Sequence, residues 1–338
     1  MSNREIKNPL IILGVLLALI GVGFVWKKLF APMSTITPST ISPKTETKKE
    51  TATEEQREFK FSWQEDKGVR ASDGSVPFAL KLNDGKIRLY YCGPAGIISA
   101  ISSDGLNFQK ESGVRIAPLG RPGDPESMVC DATVVNLPDG QIRMYYKGAT
   151  GMGGPGQSVH RIYSAISSDG LNFKKEGLRI DSQKTGDNGW ASVPEAVKLP
   201  DGRVRIYYVS ADPEAKGGIM SAISSDGLNF QKETGVRLKG NFVDPAVIIL
   251  ADGTFWLTAV YNCVPEKENC SQKNGFYGFF SKDGLNFTGG QLIYPAFGVD
   301  LDPSIIKISE NTYRIYYGEL GGPGVQAVKS ITVKVSSY

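Results

Sequence analysis

One segment of this chain recurs along its length. Residues 75–116, SVPFALKLNDGKIRLYYCGPAGIISAISSDGLNFQKESGVRI, and 192–238, SVPEAVKLPDGRVRIYYVSADPEAKGGIMSAISSDGLNFQKETGVRL, are near copies of each other. Between them, residues 131–180 read DATVVNLPDGQIRMYY, then a glycine-rich loop, then RIYSAISSDGLNFKKEGLRI. A fourth copy runs from VDPAVIILADGTFWLTAV to YGFFSKDGLNF, and a fifth, LDPSIIKISENTYRIYY with VQAVKSITVKV, has lost its SDG turn. A unit repeated in this way cannot bury its apolar face alone and must stack against its neighbours.

Each copy divides into four short β-rich runs. The first ends at a turn (Asp84-Gly85, Asp139-Gly140, Asp201-Gly202, Asp252-Gly253), the second carries R-x-Y-Y, the third reads SAIS, and a second Asp-Gly turn leads to the fourth. Asp-Gly between apolar alternations marks a hairpin, because both residues tolerate positive φ. Four antiparallel strands in a unit of roughly 50–60 residues make a propeller blade. The fifth copy lacks its outer strand, while residues 61–70, FSWQEDKGVR, resemble the outer-strand segment NFQKESGVR with Trp63 in place of Phe108. The amino-terminal strand should therefore complete the last blade and close the ring, removing an exposed edge. The expected fold is all-β: a five-bladed propeller over 58–338.

Ahead of it, Leu10 to Trp26 is an uncharged apolar run, short for a bilayer span, and it ends in Trp26, Lys27 and Lys28. A secretory signal peptide would instead end at a small-residue cleavage site, so an uncleaved membrane anchor over 1–30 is the preferred reading. The flanking charges nearly balance and leave the orientation open. Residues 31–57 are rich in Ser, Thr, Pro, Lys and Glu with almost no large apolar side chain, the composition of a flexible linker. The propeller is thus expected outside the cytoplasm, tethered and monomeric. The formal charge of +3 gives no nucleic-acid footprint. The four cysteines suit an oxidising compartment: Cys263 and Cys270 as a local pair, Cys92 and Cys130 across neighbouring blades, with four free thiols as the alternative.

Residues present in every copy hold the blade together, and function should break the pattern. Asp104, Asp169, Asp226 and Asp283 of the SDG turns, and Arg88, Arg143, Arg205 and Arg314, are accordingly read as structural. On the opposite face, alignment by the second strands superposes Val76, Asp131, Val193, Asp244 and Asp302 near the axis. Two residues further stand Phe78, Thr133, Glu195, Ala246 and Ser304, with Glu195 the only carboxylate at its level. Glycosidic cleavage needs one protonated and one ionised carboxyl group, and crowded acids push their pKa values apart in the required way. Trp190, Tyr163 and His160, the chain's one histidine, lie in adjoining loops and suit sugar contacts. The competing structural reading is that Asp244-Pro245 and Asp302-Pro303 merely start strands.

Five blades, first strands opening with DPSII or DPAVI, and S-x-D-G-x-x-F turns together make residues 60–338 similar to a known superfamily. The chain resembles the five-bladed glycoside hydrolases of families 43, 32 and 68: arabinanases, β-xylosidases, invertases and levansucrases. The resemblance implies a base or nucleophile from blade one, an Asp from blade two and a general-acid Glu from blade three. Asp131 and Glu195 match the last two. Blade one offers Val76 and Phe78 instead, leaving Asp73 in RASDGS to supply the missing carboxylate from the entry loop. The turns are also similar to sialidase Asp boxes, but those separate Asp from Gly and belong to six-bladed rings. Two functions follow: a glycoside hydrolase using Glu195, Asp131 and Asp73, with Trp190, His160, Tyr163, Asp244 and Asp302 binding substrate, or a non-catalytic propeller binding glycans or proteins. No cofactor is required, although Asp131, Asp244 and Asp302 could share an axial divalent cation such as calcium.

Overall fold

The computed structural model describes residues 59–263, 270–296, 300–320 and 326–337. The expected anchor and linker lie outside these residues. Among the described residues no helix is long and apolar enough to cross a membrane.

Among the described residues, twenty strands form five antiparallel four-stranded sheets. Blade one consists of β2 (Ser75–Lys81), β3 (Ile87–Gly93), β4 (Gly96–Ser102) and β5 (Gln109–Lys110). Blade two is β6 (Met128–Asn136), β7 (Ile142–Ala149), β8 (His160–Ser167) and β9 (Lys174–Ile180). Blade three is β10 (Ala191–Lys198), β11 (Val204–Ser210), β12 (Ile219–Ser224) and β13 (Gln231–Lys232). Blade four is β14 (Phe242–Ile249), β15 (Phe255–Tyr261), β16 (Gly275–Ser281) and β17 (Thr288–Pro295). Blade five is β18 (Asp300–Ser309), β19 (Thr312–Leu320) and β20 (Gln326–Ser337), and β1 (Phe59–Glu65) completes it, pairing Phe59 with Ser337 and Glu65 with Ile331. The ring closes through the chain's own first strand, as the repeat implied.

Hydrophobic clusters lie between successive blades, because both faces of each sheet are covered by a neighbour. Tyr90, for example, is fully buried with Val129, Val134 and Met144 of blade two. Polar bonds fix the same junctions. The first tyrosine of each R-x-Y-Y donates to the glycine carbonyl of the next blade's SDG turn: Tyr90 to Gly170, Tyr145 to Gly227, Tyr207 to Gly284 and Tyr316 to Gly105. The arginines reach the preceding Asp carbonyl of those turns, Arg88 at Asp169 and Arg143 at Asp226, while pairing with Glu111 and Glu176 of their own blades. Asp104 and its equivalents accept two backbone N–H groups each, which holds their carboxyls below the usual range.

Blade four tests this logic. Blade five has no SDG turn, and blade four carries Trp256 and Thr258 where the others carry the Arg and the Tyr. The Trp256 indole N–H and the Thr258 hydroxyl are buried without a partner among the described residues, while the indole ring packs against Phe61 and Tyr313. With the turn gone, its two readers became packing residues. Two disulfides complete the scaffold: Cys92–Cys130, joining β3 to β6, and Cys263–Cys270 in the blade-four loop.

Candidate functional site

Every first strand bulges at the same point, where β2, β6, β10, β14 and β18 shift register against their partners. The residue at the bulge is left-handed in all five blades: Val76 (φ 59°), Asp131 (53°), Val193 (49°), Asp244 (52°) and Asp302 (54°). Asp visits this region readily, whereas a β-branched Val is strained there. The bulge aims these side chains at the axis, and three of the five are carboxylates. Val193 N–H donates to Asp131 Oδ2 at 3.3 Å, and Asp302 N–H donates to Asp244 Oδ2 at 3.4 Å. An Asp here therefore bonds the next blade's bulge.

The charges are managed unequally. Asp131 is buried and ion-paired with Lys147 Nζ at 2.7 Å. Burial, then the Asp131 charge, pushes the Asp244 carboxyl up to about 7. Burial and the two neighbouring aspartates hold Asp302 well above the ordinary range. One ammonium thus faces three crowded carboxyls, and the two without it are driven toward the protonated form.

One level deeper, side chains again bridge to the next blade. Ser304 Oγ accepts from Ala79 N–H at 2.9 Å, Thr133 Oγ1 from Ala196 N–H at 3.0 Å, and Glu195 Oε1 from Val247 N–H at 3.2 Å. Thr133 also donates to Glu195 Oε2. Burial raises the Glu195 carboxyl to about 8 despite these two bonds. The space between the levels is a cavity of about 20 Å³, walled by Val76, Phe78, Asp131, Val193, Glu195 and Asp302 together with Pro77, Pro194, Pro245 and Pro303. That is room for about one water molecule.

Larger space lies off-axis. A cleft of about 330 Å³ opens between the β7–β8 loop and the segment entering blade three, walled by Gly156, Gln157, Ser158, Gln183, Asn188 and Gly189. Among the described residues no charged side chain lines it. The pair that follows these loops, His160 and Trp190, is stacked at 3.6 Å, and His160 N–H donates to the Gly189 carbonyl. The His160 ring is buried, bonded through Nδ1 to Ser192 Oγ, and its Nε2 has no partner. Burial, and then Lys147, lowers its pKa to about 2, so it is neutral.

Solved structures share this ring. A thermostable family-43 glycoside hydrolase superposes with TM-score 0.60 at 14% identity, covering 79% of this chain and 91% of its own. A family 117 glycoside hydrolase of the marine bacterium Zobellia galactanivorans gives 0.59 at 16%, covering 82% and 90%. An α-L-arabinofuranosidase of Lactobacillus brevis gives 0.58 at 14%, covering 77% and 91%. The fold is that of the five-bladed glycoside hydrolases. No protein-family model matches the sequence, and no curated protein matches it.

Against the glycoside-hydrolase pattern that the sequence resembles, the departure in blade one is real in three dimensions. Val76 and Phe78 occupy the axial positions, and Asp73 does not reach them. It accepts from Tyr91 at 3.0 Å and pairs with Lys110 of β5, the outermost strand. Glu126 and Asp187 do the same with Tyr146 and Lys175, and with Tyr208 and Lys232. Asp73 is thus one of a repeated set. Tyr163 is likewise not brought to the rim cleft: its ring is buried in blade two against Tyr146 and the Gly148 backbone.

The residue missed from the sequence is Lys147. Its counterparts in the other second strands are Cys92, Val209, Val260 and Gly318. A lysine at that inward position breaks the repeat as plainly as Glu195 does, and that was the available signal. Its ammonium neutralises Asp131, as an axial cation would. Among the described residues, three possible metal-ligand side chains approach within 4.8 Å at Cys92, Cys130 and Asp131, and both sulfurs there are spent in the disulfide.

Proposed function

We propose that this chain is a membrane-tethered, extracytoplasmic propeller of glycoside-hydrolase fold that binds carbohydrate at the rim between blades two and three and does not cleave it at the axis. The observation that carries this reading is the distribution of space: about 20 Å³ at the axis against about 330 Å³ at the rim. A single sugar ring cannot enter a one-water cavity, and blade one presents no second carboxylate there. The rim cleft offers the amides of Gln157, Gln183 and Asn188 and the Ser158 hydroxyl, uncharged donors and acceptors suited to sugar hydroxyls, and Trp190 directly follows the lining Gly189 in the chain.

The tether supports this use. β20 starts at Gln326 on the face that carries the rim cleft and runs to the turn face, and β1 starts beside its end, Phe59 opposite Ser337. A linker entering at Phe59 therefore joins the propeller on its turn face and leaves the rim cleft, on the opposite face, unobstructed.

One observation favours hydrolysis instead: a Glu195 carboxyl held protonated to about pH 8 has the ionisation of a general acid. A single screen separates the two readings. The full-length chain, in a detergent without a sugar headgroup, is tested on a glycan array and against chromogenic aryl glycosides. Binding that Trp190→Ala or Gln183→Ala weakens, with no turnover, supports the rim reading. Turnover abolished by Glu195→Gln would replace it with the hydrolytic one.

A further inference from the structure

In blades one to three the corner where the second tyrosine meets the outermost strand is closed. Tyr91, Tyr146 and Tyr208 each donate to an acid that a lysine of the outer strand also grips: Lys110, Lys175 and Lys232. Blade five breaks this pattern twice. Asp66 pairs with Arg314 as Glu111 pairs with Arg88, so Glu65, one residue earlier, stands where Lys110 stands. Lys329 lies opposite Tyr317 in the register where Ile98, Tyr163 and Met220 face the other tyrosines.

With the lysine gone, a cleft of about 460 Å³ opens, walled by Glu65, Tyr294, Tyr317, Glu319 and Lys329. Tyr294 donates to Glu65 at 3.0 Å, and Lys329 pairs with Glu319 at 2.6 Å. Trp63 is two residues before Glu65 on the same face of β1. Trp63 is 44% exposed, and its ring meets Tyr294 edge-on at 4.9 Å. Carboxylates that accept, an ammonium and phenols that donate, and an open indole face for ring C–H groups are the complement of a neutral pyranose. The volume falls within the range of small-molecule sites.

We infer that this blade-five cleft is a second carbohydrate site, taking a neutral pyranose unit of a glycan chain, and that it is separate from the rim cleft. The full-length chain in a detergent without a sugar headgroup is titrated with cellotetraose, mannotetraose, xylotetraose and chitotetraose. Tryptophan fluorescence and saturation-transfer NMR report binding. Trp63→Ala and Glu65→Lys, the second restoring the residue of blades one to three, should each weaken binding of at least one tetrasaccharide by about tenfold or more, as loss of a binding anchor does. Trp190→Ala should leave that binding within about twofold, since its site is distinct. If Glu65→Lys lowers the folded fraction, Trp63→Ala, which removes an exposed ring, decides alone. The inference is overturned if no tetrasaccharide binds, if binding survives both changes, or if only Trp190→Ala abolishes it. That last result would leave the rim proposal standing.

Discussion

Replacing Glu195 by Gln should stabilise the propeller at alkaline pH and leave it nearly unchanged in acid. Glu195 sits at the axis with its carboxyl raised from the ordinary 4.5 to about 8, chiefly by burial. Between those values the folded protein keeps a proton that the unfolded chain releases. Stability therefore falls as pH rises through that window, undiminished below 4.5 and lowest above 8. At 1.36 kcal/mol per tenfold, the penalty on the ionised form is about 5 kcal/mol, an upper bound because the 20 Å³ cavity can admit a water. Gln keeps the shape: its carbonyl accepts from Val247 N–H as Oε1 does now, and its amide can donate to Thr133 Oγ1. Denaturant unfolding of wild type and Glu195→Gln at pH 4, 7 and 9 should show no gap at pH 4. By pH 9 a gap of about 2–5 kcal/mol should open in favour of the variant, or about 5 °C or more in Tm. Parallel curves from pH 4 to 9 would refute the reasoning, because they would mean that the carboxyl is not desolvated.

Other perturbations test the remaining parts of the scaffold. Lys147→Met strands Asp131 as a buried, unpaired charge and should cost about 3–5 kcal/mol, most of which the double change with Asp131→Asn recovers; a loss under about 1 kcal/mol would contradict a buried pair. Removing Cys92–Cys130, which closes a sequence separation of 38, should lower stability by about 4 kcal/mol in chain-entropy terms, more than removing Cys263–Cys270 with its separation of 7. Thermal unfolding of the two paired Cys→Ser variants checks the order. Gly170→Ala should cost more than Gly140→Ala, although both glycines have positive φ. A Cβ at Gly170 would sit 2.5 Å from Arg88 Nη1, whereas one at Gly140 meets nothing within 4 Å. Equal losses in urea unfolding would show that the turn–arginine junction is not tight.

The repeat by itself determined the scaffold. Four clear copies and one degenerate copy, with Asp-Gly turns at fixed offsets, set strand number, blade number and closure, because a periodic sequence must place equivalent residues in equivalent surroundings. The same logic separated the turn aspartates and the arginines as structural, and it put Val76, Asp131, Val193, Asp244 and Asp302 on one ring, which their shared left-handed backbone bears out. It reached the Cys92–Cys130 pair through the blade ends these residues occupy, whereas Cys263–Cys270 followed from short spacing alone.

What it did not contain was distance. Asp73 is near the first strand in sequence, but its backbone leads it outward to Tyr91 and Lys110. Tyr163 is near a loop in sequence, yet its strand parity turns it into the blade. Only packing showed that prolines and Phe78 close the axis to one water, that Lys147 pairs with Asp131, and that open volume lies at the rim and in blade five. Periodicity specifies which residues are equivalent. How much space their side chains leave depends on contacts between residues far apart in the chain, such as Glu195 with Val247 or Glu65 with Tyr294, and those exist only once the ring has closed.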